Sequence, residues 1–243
     1  LISAIDLDWI PLFVPKGILD LLTKFGPTLA GLIIIYYENG KDGIFSVLKS
    51  LTRFKVALKW YIFALFFELT LFFIIAVLSS ITGFPSLETN WSLVLKSVWV
   101  FLMNAINLTL LTGLGEEIGW RGFLLPKLQS RYSVMITALV IGLIHSFWHL
   151  RIDCLMLLLK SDLSGFLALY LPDMGLRILI SIPVTFIIIY LFNKTQGNLL
   201  MMIIFHGTSN ASYEWLKYIS GSNDPAGALP VFAILLWLTS LYF

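Results

Sequence analysis

Charge is scarce in this chain. Only 12% of its 243 residues are Asp, Glu, Lys or Arg, against roughly 25% in ordinary soluble domains, and the mean hydropathy is +0.90. That balance excludes a soluble globular protein and leaves a polytopic membrane protein. The formal net charge of +2 is too small to imply nucleic-acid binding. Cysteine is nearly missing as well: the single Cys154 excludes an intrachain disulfide and a thiolate zinc cage, and reads as a small buried apolar residue. There is no internal repeat, no low-complexity tract and no linker long enough to divide the chain, so residues 1–243 read as one domain. Without repeat symmetry or paired broken helices, a transporter is disfavoured. The sequence starts at Leu1 rather than at a methionine, so the presence of a signal peptide is not judged from it.

What the chain has is long apolar runs. A helix needs about 20 mostly apolar residues to cross ~30 Å of hydrocarbon, and such stretches lie near 18–37, 57–82, 92–114, 133–150, 175–192, 199–219 and 228–243. The stretch 154–171 is interrupted by Lys160 and Asp162, and is an eighth span, a re-entrant segment or an interfacial helix. Residues 1–17, with Asp6, Asp8, Pro11 and Pro15 among hydrophobics, read as interfacial. The expected fold is an all-α, polytopic transmembrane bundle of about seven to eight spans. Lys41, Lys49, Arg53, Lys55 and Lys59 mark the region 41–59 as a cytoplasmic loop. The loop 83–90 has no lysine or arginine and faces away. The chain then returns to the cytoplasmic side at Gly115, where Arg121, Lys127 and Arg131 agree.

Against this background the segment Gly115-Glu116-Glu117-Ile118-Gly119-Trp120-Arg121-Gly122 needs a reason. In a helix Glu117 and Arg121 stand at i and i+4 and can pair, whereas Glu116 points about 100° away. Glu117 is then neutralised structurally, and Glu116 is free to face a cavity as a general base for water. The plainer reading is a juxtamembrane charge cluster that anchors a helix end. All three histidines also fall within or at the edge of apolar runs, where ionisable groups are costly and usually functional. His145-Ser146-Phe147-Trp148-His149 sets two imidazoles one turn apart. That spacing can bind a metal, but Ser146 stands where a zincin helix has its glutamate, and two packing histidines are the plainer reading. His206 and Asn210 repeat the i, i+4 spacing on another span, as interhelical glue or as a water-binding imidazole and a neutral oxyanion donor.

Glu116-Glu117-x-x-x-Arg121, Trp148-His149-Leu150 and His206-x-x-x-Asn210 resemble the three motifs of the CPBP intramembrane proteases, which include CAAX prenyl protease type 2 and bacteriocin-processing or immunity proteins. Phe25-Gly26-Pro27, Trp120-Arg121-Gly122-Phe123-Leu124-Leu125-Pro126 and Asn193-Lys194-Thr195-Gln196-Gly197-Asn198-Leu199-Leu200 are similar too, so the likeness covers about 25–215. The resemblance implies a membrane-embedded catalytic cavity and an endopeptidase acting on a membrane-associated or prenylated peptide or protein in the lipid bilayer, with the site toward the cytoplasmic face of the cell membrane. It implies Glu116 as the residue that activates water, supported by Glu117 and Arg121. His149 and His206 would position water or substrate, and Asn210 would help form the oxyanion site. No cofactor is expected. The alternatives are a zinc enzyme in which Glu116, His149 and His206 are the ligands, since three protein ligands suffice for a catalytic site, and a non-catalytic immunity or partner-binding protein. One departure stands out: the family usually has an aromatic residue four positions before the second-motif histidine, and His145 is there, read as a polar substitute for a packing ring.

Overall fold

The computed structural model describes residues 16–149, 163–223 and 225–243. Cys154, the segment 1–15 and residues 154–162 lie outside the described residues. Among the described residues seven helices follow one another: α1 (Lys16–Leu51), α2 (Leu58–Thr82), α3 (Trp91–Gln129), α4 (Val134–Trp148), α5 (Leu163–Lys194), α6 (Leu199–Ser220) and α7 (Ala226–Ser240). No strand occurs among the described residues. Helices α2, α3 and α5 are long and apolar enough to cross a membrane, and α4 and α7 are shorter apolar helices.

Three boundaries differ from those the hydropathy implies. The region 41–59 is not simply a loop. α1 bends at Gly40, whose φ of 61° suits glycine alone, and helix then resumes to Leu51. Beneath the lysines that mark this stretch runs a helical period, with Ile44, Val47 and Leu51 packed in a cluster with Ile118 and Leu199. The span expected to stop at Leu114 does not stop there: α3 continues to Gln129, through widened π turns at Thr109–Gly113 and Ile118–Leu124. The carboxylate pair therefore sits inside a helix, not at its end, because the charges that lower the local hydropathy are paired internally. Finally, residues 163–171 of the interrupted stretch form the first part of α5, which tolerates Pro172 and Pro183 within it, as packed membrane helices can.

α6 is the central element. It packs most extensively on α3 and α2, and Met201, Met202, Phe205, Ala211 and Leu216 enter a core shared with Phe72 and Ile75 of α2, Phe101 of α3 and Ile187 of α5. Polar groups fix its position. Asn198 caps its start by accepting from Met201 N (3.3 Å) and donates Nδ2 to Arg53 O (2.7 Å). The Thr208 hydroxyl donates to Ala64 O of α2 (2.5 Å), and Trp215 Nε1 to Ser97 Oγ of α3 (2.8 Å).

Small residues bring the site-bearing helices together. Gly207 abuts the Thr109 backbone, and Gly113 abuts the Ile203 carbonyl, so α6 and α3 meet at backbone distance beside His206. α1 meets α3 in the same way: Gly31 lies against Gly119, the Thr28 hydroxyl donates to Leu114 O (3.0 Å), and a Cβ on Gly119 would strike the Pro27 carbonyl. Gly119→Ala should therefore cost about 1–3 kcal/mol of stability through overpacking. A lower apparent melting temperature in detergent is the expected reading, and an unchanged melt would show that the crossing can relax freely.

Candidate active site

Glu116 and Glu117 are 4% and 0% exposed, and Arg121 is 2% exposed. A juxtamembrane anchor would instead reach the interface, so the plain reading of this cluster fails. Glu117 pairs with Arg121 as the i, i+4 spacing predicts, with Nη1 to Oε1 at 2.6 Å. The same Oε1 also lies 2.6 Å from His206 Nδ1. One carboxylate on α3 thus ties its own helix to α6 and turns His206 so that Nε2, not Nδ1, is left to meet a ligand. This bridge could not be read from spacing, because it joins residues 89 positions apart.

Glu116 points elsewhere, as one residue of helical rotation demands. It is not left free. Trp120 Nε1 donates to its Oε2 (3.3 Å), and His145 Nε2 stands 3.6 Å from the same oxygen. His145 and His149 remain neighbours although His149 is the residue that caps α4: their ring centroids are 4.8 Å apart, edge to face. Trp120 meets His145 and Trp148 edge-on at 6.0 and 6.1 Å. His145 is therefore no mere packing ring. Together with Glu116 and His149 it makes a cluster whose ligand atoms all lie within 4.8 Å of one another. The alternative zinc set read from the sequence was Glu116, His149 and His206. Among the described residues it is His145 that joins Glu116 and His149, while Glu117 draws His206 aside.

A cavity of about 560 Å³ opens on this cluster. It is lined by Arg121, His145, His149, His206 and Asn210, by the Asp173–Arg177 ion pair, and by the apolar side chains of Phe72, Ile180, Val184, Ile188, Phe205 and Phe232. Glu116 stands behind this lining, its Oε2 3.6 Å from Nε2 of the cavity-lining His145. Asn210 Nδ2 donates to Thr112 Oγ1 of α3 (2.9 Å), which leaves the second N–H of the carboxamide for another acceptor. The six residues singled out from sequence thus form two adjoining groups: Glu117, Arg121 and His206 in one network, and Glu116 and His149 in a second, with Asn210 beside them on the cavity wall.

Sequence reasoning passed over three neighbours. Thr112 orients Asn210. Trp120 holds Glu116. Glu68 of α2, only 5% exposed, accepts from Ser209 Oγ (2.5 Å) in the cavity wall. Glu68 carried a signal: it is a lone acid within an apolar run, where charges are expensive. Trp120 lay within a stretch similar to the protease family, though nothing there tied it to Glu116, and Thr112 carried no signal, being unremarkable in a membrane helix.

The fold and site describe an all-helical membrane protein in which the buried carboxylates Glu116 and Glu117 stand beside His145, His149, His206 and Asn210, and those four side chains line a cavity. Residues 97–212 match a family described as "Type II CAAX prenyl endopeptidase Rce1-like". The chain is also 32% identical over 110 residues to a protein of Methanococcus maripaludis named "CAAX prenyl protease 2". That match takes in 45% of this chain and 39% of the relative, so the chain spans well under two thirds of the relative's length. The likeness to the CPBP proteases inferred from three short motifs is established over residues 97–212, the stretch that holds every candidate site residue.

Proposed function

We propose that this chain is a CAAX-type intramembrane endopeptidase, hydrolysing a peptide bond of a membrane-associated or prenylated peptide or protein with a water activated by Glu116. One observation supports the reading: a buried carboxylate, held by Trp120, stands beside His145 and His149, and those two imidazoles line a cavity that also presents His206 and Asn210. Glu116 takes a proton from water as the oxygen attacks the scissile carbonyl, and returns it to the leaving amine as the C–N bond breaks. His149 and His206 position water and substrate. Asn210 offers its free N–H to the oxyanion. Glu117 and Arg121 act indirectly, by fixing His206 and the helix that bears Glu116.

The apolar cavity wall suits a lipid-modified or hydrophobic segment, and supports a substrate drawn from the bilayer. We place the protein as a multi-pass component of the cell membrane with its site toward the cytoplasmic face. The cations that support this orientation are those of 41–59 with Lys127 and Arg131, because Arg121 is committed to Glu117 inside the bundle.

The test is cleavage of a membrane-anchored peptide by purified protein in detergent or proteoliposomes. Asn210→Ala should lower kcat by about 10²–10³, the usual loss for one oxyanion donor, with KM little changed. Turnover within a fewfold of wild type would remove Asn210 from the oxyanion site. A folded wild-type protein that cleaves no membrane-anchored peptide would favour the non-catalytic, partner-binding reading instead.

A further inference from the structure

We propose that Glu116, His145 and His149 form a binding site for a divalent transition metal of the zinc class, and that this site overlies the catalytic base. The donor set is two imidazoles and one carboxylate. These ligand types suit zinc and its borderline neighbours, and a three-ligand site leaves a coordination position open. The three ligand atoms lie within 4.8 Å of one another. A tetrahedral zinc with bonds of ~2.0–2.2 Å separates its ligands by roughly 3.3 Å, so side-chain rotation of about an ångström closes the set. His145 Nε2 is buried without a hydrogen-bond partner, an arrangement that costs free energy unless something takes up that nitrogen. Support behind the ligands is already present: Trp120 Nε1 donates to the Glu116 carboxylate, the kind of outer contact that orients metal ligands.

His145 makes the site particular to this chain. With the aromatic residue usual at that position, Glu116 and His149 alone would be left, too few for a structural or catalytic zinc site. His206 is not part of the cluster, being held at 2.6 Å by Glu117. A metal bound here coordinates the carboxylate that the proposed hydrolysis uses as its base. Occupancy therefore withdraws Glu116 from proton transfer, and the bound metal inhibits. That consequence rests on the proposed function; metal binding itself does not.

The experiment uses the full chain in detergent, stripped with a chelator and titrated with Zn²⁺ or Co²⁺ without substrate. Calorimetry should find one site per chain, and X-ray absorption on the zinc-loaded wild type should count two imidazoles and a carboxylate. His145→Gln should weaken binding by at least about tenfold, since even outer-shell changes cost 10–100-fold, and His206→Gln should leave it unchanged. No binding by wild type, a single imidazole in the absorption spectrum, or equal affinity in His145→Gln overturns the proposal. The absorption measurement decides the matter without a variant should His145→Gln not fold. In the activity arm, each protein is compared with itself. Zinc should slow cleavage by wild type and a chelator restore it, while His145→Gln should show a much smaller ratio. Cleavage that rises with zinc overturns the inhibitory placement. Binding as described, with no cleavage by metal-free wild type, would instead overturn the proposed function and leave the metal site standing.

Discussion

Glu116→Gln is expected to abolish measurable cleavage, by about 10²–10⁴ if only proton transfer is lost, while leaving the protein folded. Gln has the shape of Glu, and its carbonyl oxygen can still accept from Trp120 Nε1, the contact seen at 3.3 Å. The same oxygen faces His145 Nε2, 3.6 Å away, and that nitrogen can donate toward it in its Nε2–H tautomer. The buried neighbourhood therefore stays satisfied, and only the capacity to hold and return a proton disappears. Peptide cleavage and apparent melting temperature should be measured on the same preparation. Turnover near wild type, with the melt unchanged, would take the base away from Glu116 and require another group to activate water.

Glu117→Ala is expected to behave differently, losing stability and activity together. Glu117 is fully buried, and its Oε1 is shared by Arg121 Nη1 and His206 Nδ1, each at 2.6 Å. Its removal strands the Arg121 charge, 2% exposed, inside the bundle. Breaking a buried ion pair from one side costs ~3–5 kcal/mol. The same substitution releases His206 from α3, so a ring that faces the cavity loses its fixed orientation. Arg121→Ala should give a similar fall in melting temperature but keep the contact between Glu117 and His206. A Glu117→Ala protein that melts like wild type and is nevertheless inactive would give Glu117 a direct part in the chemistry.

Much of this was open to a reader of the sequence alone. Scarce charge and long apolar runs determined an all-helical membrane protein, because hydrocarbon leaves the backbone no partner but itself. The i, i+4 spacing of Glu117 and Arg121 determined their pairing, and adjacency in a helix determined that Glu116 would point away from it. Those conclusions need only local geometry. Tertiary structure decided what local geometry cannot reach. Hydropathy ended a span at Leu114 because it counts charges without knowing that Glu117 and Arg121 neutralise each other within one helix, so α3 runs on to Gln129. The lysines of 41–59 masked the apolar face that packs Ile44 and Val47 under Ile118. The partner of His206 was decided by the backbone-close crossing of α6 on α3 at Gly207 and Gly113, and the partner of Glu116 by the approach of α4. His145, a substitute for a packing ring when seen as text, became the neighbour of the proposed base because ring and carboxylate come from helices whose contact no single stretch of sequence specifies.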